Sequence, residues 1–244
     1  MRFGLLTAVV LAAAPVAAAD DDSQAREVVD RAIAQIGGAK KLTNLKAGVW
    51  KTSGTVRGVP SRAEFHGELP GKFRLDSTRA VDGKPTRFSR IINGDKGWVV
   101  EGEKVKPMSD EEMAHVRESF YHKRIATTLL PLTDKACKLS VVGQADVGGR
   151  PATAIRATRA GFPDVTLYFD QQTGLLAKTE MTGKDAAGGK GRKVELLLSD
   201  YKEFDGVKMA GRTKTYHDGK LFLDTELVEF HRADSLPGKT FDAP

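Results

Sequence analysis

Lys72-Phe73-Arg74-Leu75-Asp76, then Asp82-Gly83, then Arg87-Phe88-Ser89-Arg90-Ile91, then Asn93-Gly94: two alternating runs, each followed by a turn dipeptide, fill residues 72–94. Alternation sends successive side chains to opposite faces of a strand. Asp-Gly and Asn-Gly supply the positive φ of a tight hairpin. The same pattern extends upstream through Trp50-Lys51-Thr52 and Arg62-Ala63-Glu64-Phe65-His66, punctuated by Gly54, Gly58-Val59-Pro60 and Pro70-Gly71. Parallel strands need long crossovers, and residues 47–108 leave no room for them. This stretch therefore reads as an antiparallel meander.

Downstream, Ser109-Asp110-Glu111-Glu112 is a capping box that starts a helix. Met113, Val116 and Phe120 form its buried stripe, continued by Arg124 or Ile125, and it stops near Pro131. Strands are expected again over 137–143, 151–158, 164–170, 174–181, 192–204, 207–217 and 220–230. Asp170-Gln171-Gln172-Thr173-Gly174, Asp205-Gly206 and His217-Asp218-Gly219 are the turns between them. Gly183 to Gly191, with four glycines, reads as a loop at a hairpin tip. Cys137 is the only cysteine, so no internal disulfide can form; it is expected at the start of a strand, as a buried small hydrophobe.

Upstream, Ser23 is the expected N-cap of a first helix, and Ala25, Val28, Val29, Ala32, Ile33 and Ile36 make its apolar stripe. Gly37-Gly38 ends it. The sum is a mainly β chain with two helices, an α+β arrangement of ten or eleven antiparallel strands. A flat sheet of that size would expose edges and an apolar face. The expected architecture is an unclosed antiparallel half-barrel wrapped around the N-terminal and inserted helices, with an apolar space between.

Arg2, the apolar run Phe3 to Val16, the small residues Ala17-Ala18-Ala19 and the acids Asp20-Asp21-Asp22 have the build of a secretory signal peptide over residues 1–19. The apolar run is too short to span a bilayer. A single domain over 20–244 is expected, periplasmic or secreted. Residues 20–244 carry 37 basic and 32 acidic side chains, a scattered net +5. With no aromatic–basic motif, this does not point to nucleic acid.

The chemistry-bearing residues select no reaction. His66, His115, His122, His217 and His231 show no short zinc-ligand spacing. The glycine-rich loop fails the phosphate-loop pattern, and there is no Gly-x-Ser-x-Gly. Asp76, Asp170, Asp200, Asp205 and Asp218 fall mostly at strand ends or turns, where Asp bonds the backbone. The reading is non-enzymatic, with no cofactor and no metal. Large apolar residues carry more. Trp50, Phe65, Phe73, Leu75, Trp98, Phe120, Leu167 and Phe169 are the candidates for lining an apolar cavity, each weighed against an ordinary place in the core.

Several segments together resemble the LolA/LolB-like lipoprotein-carrier superfamily. They are the helix ending in Gly37-Gly38, Leu42-x-x-Leu45 and Trp50; Thr166-Leu167-Tyr168-Phe169-Asp170-x-x-Thr173-Gly174-Leu175-Leu176-x-Lys178; Asp200-Tyr201-Lys202-x-Phe204-Asp205-Gly206-Val207; and Phe241-Asp242-Ala243-Pro244. The resemblance covers most of residues 25–244. It implies an unclosed antiparallel barrel with a helical lid. Two features depart from the family. Met209-Ala210-Gly211 stands where a Pro often follows the Asp-Gly-Val turn, and neither Arg57, Arg62 nor any other residue is matched to the buried Arg that holds the lid of the best-known carriers.

The functional expectation is an exported, non-catalytic binding protein that holds a lipid, acyl chain or lipoprotein anchor, with envelope membrane proteins as further partners. The alternative is an envelope assembly module without a lipid ligand. Energies permit the first. Burying a sixteen-carbon chain gains at most about 12 kcal/mol, against an association cost of roughly 4–15 kcal/mol. That balance suits a carrier that must release its cargo.

Overall fold

The computed structural model describes residues 16–183 and 191–243, with side chains from residue 21 onward. The expected signal peptide, apart from its last four residues, and positions 184–190 of the glycine-rich loop lie outside the described residues.

The first helix, α1 (Val16–Gln35), begins upstream of the expected cap, and Ser23 lies within it. The reason is visible in the acids. Asp22 pairs with Arg26 one turn on at 2.7 Å, as helical residues do. The Asp21 and Asp22 carboxylates accept the N–H groups of Val141 and Leu139 at 3.0 and 3.1 Å. The apolar stripe is buried as its spacing requires: Ala25, Val29, Ala32, Ile33 and Ile36 sit in the core. Gly37 and Gly38 have φ of +130° and +83° and end the helix. A short helix absent from the expectation, α2 (Ala39–Thr43), follows and buries Leu42.

Six strands succeed it: β1 (Ala47–Val56), β2 (Val59–Glu68), β3 (Lys72–Val81), β4 (Lys84–Asn93), β5 (Lys96–Glu101) and β6 (Lys104–Pro107). Each pairs antiparallel with the next. The inserted helix α3 (Asp110–Thr128) runs into a 3-10 turn at Leu130–Thr133. Then come β7 (Lys138–Asp146), β8 (Pro151–Thr158), β9 (Val165–Asp170), β10 (Leu176–Gly183) and β11 (Arg192–Ser199). A small hairpin, β12 (Lys202–Phe204) and β13 (Val207–Met209), precedes β14 (Arg212–His217) and the long β15 (Lys220–Ala233).

The described residues thus form fifteen strands, where ten or eleven were expected. Two expected strands are cut by the backbone. Asp200 has φ of +53°, which separates β11 from β12, and Gly211 donates its N–H to the Asp200 carbonyl at 3.0 Å. The β5–β6 hairpin was missed because β6 is exposed throughout and has no alternating apolar face. Cys137 lies one residue before β7 rather than in it, buried as a small hydrophobe.

Thirteen strands form one sheet in the order β6-β5-β4-β3-β2-β1-β15-β14-β11-β10-β9-β8-β7. The sheet is open: β6 and β7 are its two edges. Laid flat, it would be about 58 Å wide at about 4.8 Å per strand. Met113 of α3 packs on Phe73 and Ile92 of β3 and β4, while His122 of α3 bonds Thr179 of β10. Those two helix positions are only about 14 Å apart at about 1.5 Å per residue. The sheet therefore curls, and α3 crosses its concave side. The main core lies between α1, α3 and the β7–β10 half, and a satellite core lies between α3 and β3–β4. The β7 edge is shielded by α1, whose Asp21 and Asp22 occupy its outward N–H groups.

Candidate functional site

Between α3, α2 and the concave face of β1, β2 and β15 the packing is incomplete. The resulting cavity holds about 710 Å³ of space counted out to its open mouth. Leu42, Leu45, Trp50, Leu69, Met209 and Phe230 supply much of its apolar wall. A second hollow of about 640 Å³, counted the same way, lies beside Phe73, Ile92, Tyr121 and Phe162. Phe120 and Arg124 line both.

Strand alternation builds the floor. Trp50 pairs with Phe65 across β1 and β2, so both rings project from the concave face. The rings stack at 5.4 Å, 4° from parallel. Phe65 meets Phe73 at 6.3 Å, and Phe73 meets Phe120 of α3 at 4.8 Å. An aromatic ladder thus runs from one hollow to the other. Gly67 keeps the ladder open, because a Cβ there would lie 3.3 Å from the Trp50 ring.

Two basic side chains of α3 enter this apolar setting. The Lys123 ammonium lies 4.4 Å from the Phe65 ring centre and 5.7 Å from that of Trp50. Burial lowers its pKa to about 8. Burial also lowers that of Arg124, and Arg159 adds to the effect, against the Tyr121 phenol. The neighbouring His122 turns away. It is buried, its Nε2 is 2.7 Å from the Thr179 hydroxyl, and burial together with Lys123 lowers its pKa to about 4. His122 is therefore neutral at physiological pH and pins α3 to β10.

Glu68, Thr127 and Thr128 on the cavity wall are engaged. Glu68 accepts from Lys72 at 2.6 Å and from the Leu236 N–H at 2.8 Å. The Thr127 and Thr128 hydroxyls donate to the Lys123 and Arg124 carbonyls at 2.7 and 2.9 Å.

The expected lining residues divide. Trp50 and Phe120 line the first hollow, and Phe73 and Phe120 the second. Phe65 lies beneath Lys123 and beside Trp50, and Leu75 packs in the satellite core; neither borders a hollow. Leu167 and Phe169 are 0% and 2% exposed in the main core and line neither hollow. Their strand is covered by packed side chains rather than by a void. Trp98 lies on the opposite face of the sheet. Its neighbour Gly97 is the residue that faces α3, where a Cβ would meet the Met113 sulfur, and period-2 alternation sends Trp98 the other way. The sequence reading missed Lys123, Leu42, Met209 and Phe230. No periodic signal marks Lys123, which falls beside the apolar stripe of α3, where a lysine ordinarily reaches solvent.

Four of the five flagged aspartates have structural partners: Asp205 accepts the Arg232 N–H at 3.3 Å, Asp218 accepts the Lys193 N–H at 3.0 Å, and Asp170 and Asp76, the latter within β3 rather than at its end, are held more firmly. Asp170 accepts from the Thr173 N–H and hydroxyl at 2.7 and 2.8 Å and pairs with Arg150 at 2.7 Å. Asp76 is held by Arg74, Ser89 and Arg87. Burial would raise its pKa, but these three donors outweigh that and hold it at about 2. Glu112 closes the helix cap and pairs with Lys106 at 2.9 Å. Among the described residues no group of three or more His, Cys, Asp or Glu side chains comes together to hold a metal, and no helix is long and apolar enough to cross a membrane.

No protein-family model matches the chain, and no curated protein matches it in sequence. Solved structures do match. A domain from Vibrio parahaemolyticus named for outer-membrane lipoprotein sorting is 11% identical, with a TM-score of 0.55 over 91% of this chain and 97% of its own. A LolA superfamily protein from Nitrosomonas europaea is 10% identical, also with a TM-score of 0.55, over 89% of this chain and 97% of its own. The open antiparallel sheet curled around α3 is thus the fold shared by LolA superfamily and lipoprotein-sorting structures.

Proposed function

We propose that the protein is an exported, non-catalytic binding protein that holds an acyl chain in the cavity between α3 and the concave sheet. The observation that carries this is the cavity. Its wall is largely hydrocarbon and aromatic, and it is open on one side. The chain would lie along Trp50, Leu42, Phe120 and Phe230, with Phe73 at the adjoining hollow. A fold shared with a domain named for lipoprotein sorting is in keeping with cargo that carries acyl chains. The leader read over residues 1–19 supports export and action in the periplasm. Affinity would be moderate, because each buried methylene contributes only about 0.8 kcal/mol and association itself costs roughly 4–15 kcal/mol.

Filling the cavity tests the proposal. Thr127 lines it from α3, and Thr127→Trp would occupy the space while keeping the helix. Binding of sixteen-carbon amphiphiles, followed by native mass spectrometry, is expected to weaken at least tenfold in this variant while thermal unfolding stays cooperative. A wild-type protein that carries no lipid from the cell and takes up none in vitro would remove the acyl reading. The fold would then be better understood as an interaction module.

A further inference from the structure

We propose that the cavity selects amphiphiles with an anionic head, a carboxylate or a phosphate, which docks on Lys123 and Arg124 while the chain lies on the Trp50 wall. This rests on the acyl-binding reading above and adds the chemistry of the head.

Lys123 has no counter-ion among the described residues. Its ammonium sits over two aromatic rings. Among the described residues, no carboxylate lies within ion-pair distance of it. A buried charge is ordinarily paired, since desolvation disfavours it strongly. Ring faces offer a cation partial compensation only. The charge-bearing groups around the cavity are Lys46 at the mouth, Arg124 and Lys123 from α3, and Glu68 from β2. Glu68 is already committed to Lys72 and to the Leu236 N–H. His122 belongs to the opposite side of α3, against Thr179. The nearby hydroxyls of Thr127 and Thr128 are turned into their own helix. The balance facing the space is therefore cationic, with no internal counter-ion.

Geometry matches an amphiphile. The two basic residues are adjacent on α3, Lys123 resting against the Trp50 and Phe65 rings, and the apolar wall continues beside them over β1, β2 and β15. Arg124 borders both hollows, so a head placed there leaves either open to a chain. Desolvation strengthens a charge-assisted hydrogen bond in such a setting. The depressed pKa of Lys123 has burial as its sole cause, which agrees with a site that waits for an external anion.

Trp50 makes the test direct. The chain has two tryptophans, and Trp98 is on the other face of the sheet. In a Trp98→Phe background Trp50 alone reports on the cavity. The probes are palmitate, hexadecyl phosphate and hexadecanol, which share a chain and differ in the head. At pH 7 both anions are expected to bind at least tenfold tighter than hexadecanol. Lys123→Met should bring that ratio to within twofold, Lys123→Arg should keep it, and Arg124→Gln should lower it about threefold. Tighter binding of either anion supports the proposal and names its head class. An equal affinity for all three probes, or a ratio unchanged in folded Lys123→Met, overturns the head assignment alone. Should Lys123→Met not fold, Arg124→Gln decides, and an unchanged ratio there overturns it. Failure of all three probes to bind overturns the acyl reading with it.

Discussion

Burial moves the Lys123 ammonium from 10.5 to about 8, which corresponds to roughly 3 kcal/mol against the charged form. The unfolded chain binds this proton more tightly than the folded one, so the penalty is complete below pH 8 and fades as the pH rises from 8 to 10.5. Lys123→Met should therefore unfold at higher urea than wild type at pH 7, by about 2 kcal/mol, and the two proteins should converge near pH 10.5. A pH-independent difference would place the ammonium in water. At the same scale Asp170 shows what sequence can disclose: an Asp before Thr173-Gly174 bonds the local backbone whatever the tertiary context. Lys123 shows what it cannot. A lysine on an amphipathic helix ordinarily reaches solvent, and only the curl of the sheet puts Trp50 and Phe65 above it.

Among the elements, α3 was legible at both its start and its apolar stripe. The Ser109 hydroxyl accepts the Glu112 N–H at 3.2 Å, and the Glu112 carboxylate accepts the Ser109 N–H at 3.0 Å. These contacts span three residues, so the local sequence specifies them. Ser109→Ala should cost about 1 kcal/mol, seen as faster hydrogen exchange in the first turn of α3, with β8 and β9 unaffected at the same pH. Met113, Val116 and Ile125 are buried as the stripe requires. At the C-terminal end of the helix Leu129 takes φ of +58°. This leads into the 3-10 turn around Pro131, close to the stop read from that proline. The cavity-facing side of α3, with Lys123, Arg124, Thr127 and Thr128, carries no such periodic mark.

For the molecule as a whole, the pairing of β1 with β15 is the seam that joins two meanders, one on each side of it in the sheet. Gly54 sits in that seam. A Cβ there would lie 2.0 Å from the Asp224 carbonyl oxygen and 2.8 Å from the Thr225 Cα, both backbone atoms that cannot turn aside. Gly54→Ala should destabilise the protein by more than about 2 kcal/mol in urea unfolding. A neutral outcome would mean that the strands separate freely at this point. The antiparallel hairpins, the two long helices and the open β-rich class were written in the sequence, because turn dipeptides, period-2 alternation and helix caps act over a few residues. The tertiary structure alone decided the rest. Leu167 and Phe169 went into solid core, Trp98 to the outer face, and Lys123 to the edge of an apolar hollow. Those outcomes depend on which strand lies opposite which helix once a thirteen-stranded sheet has curled, a relation between residues distant in the chain that no local pattern encodes.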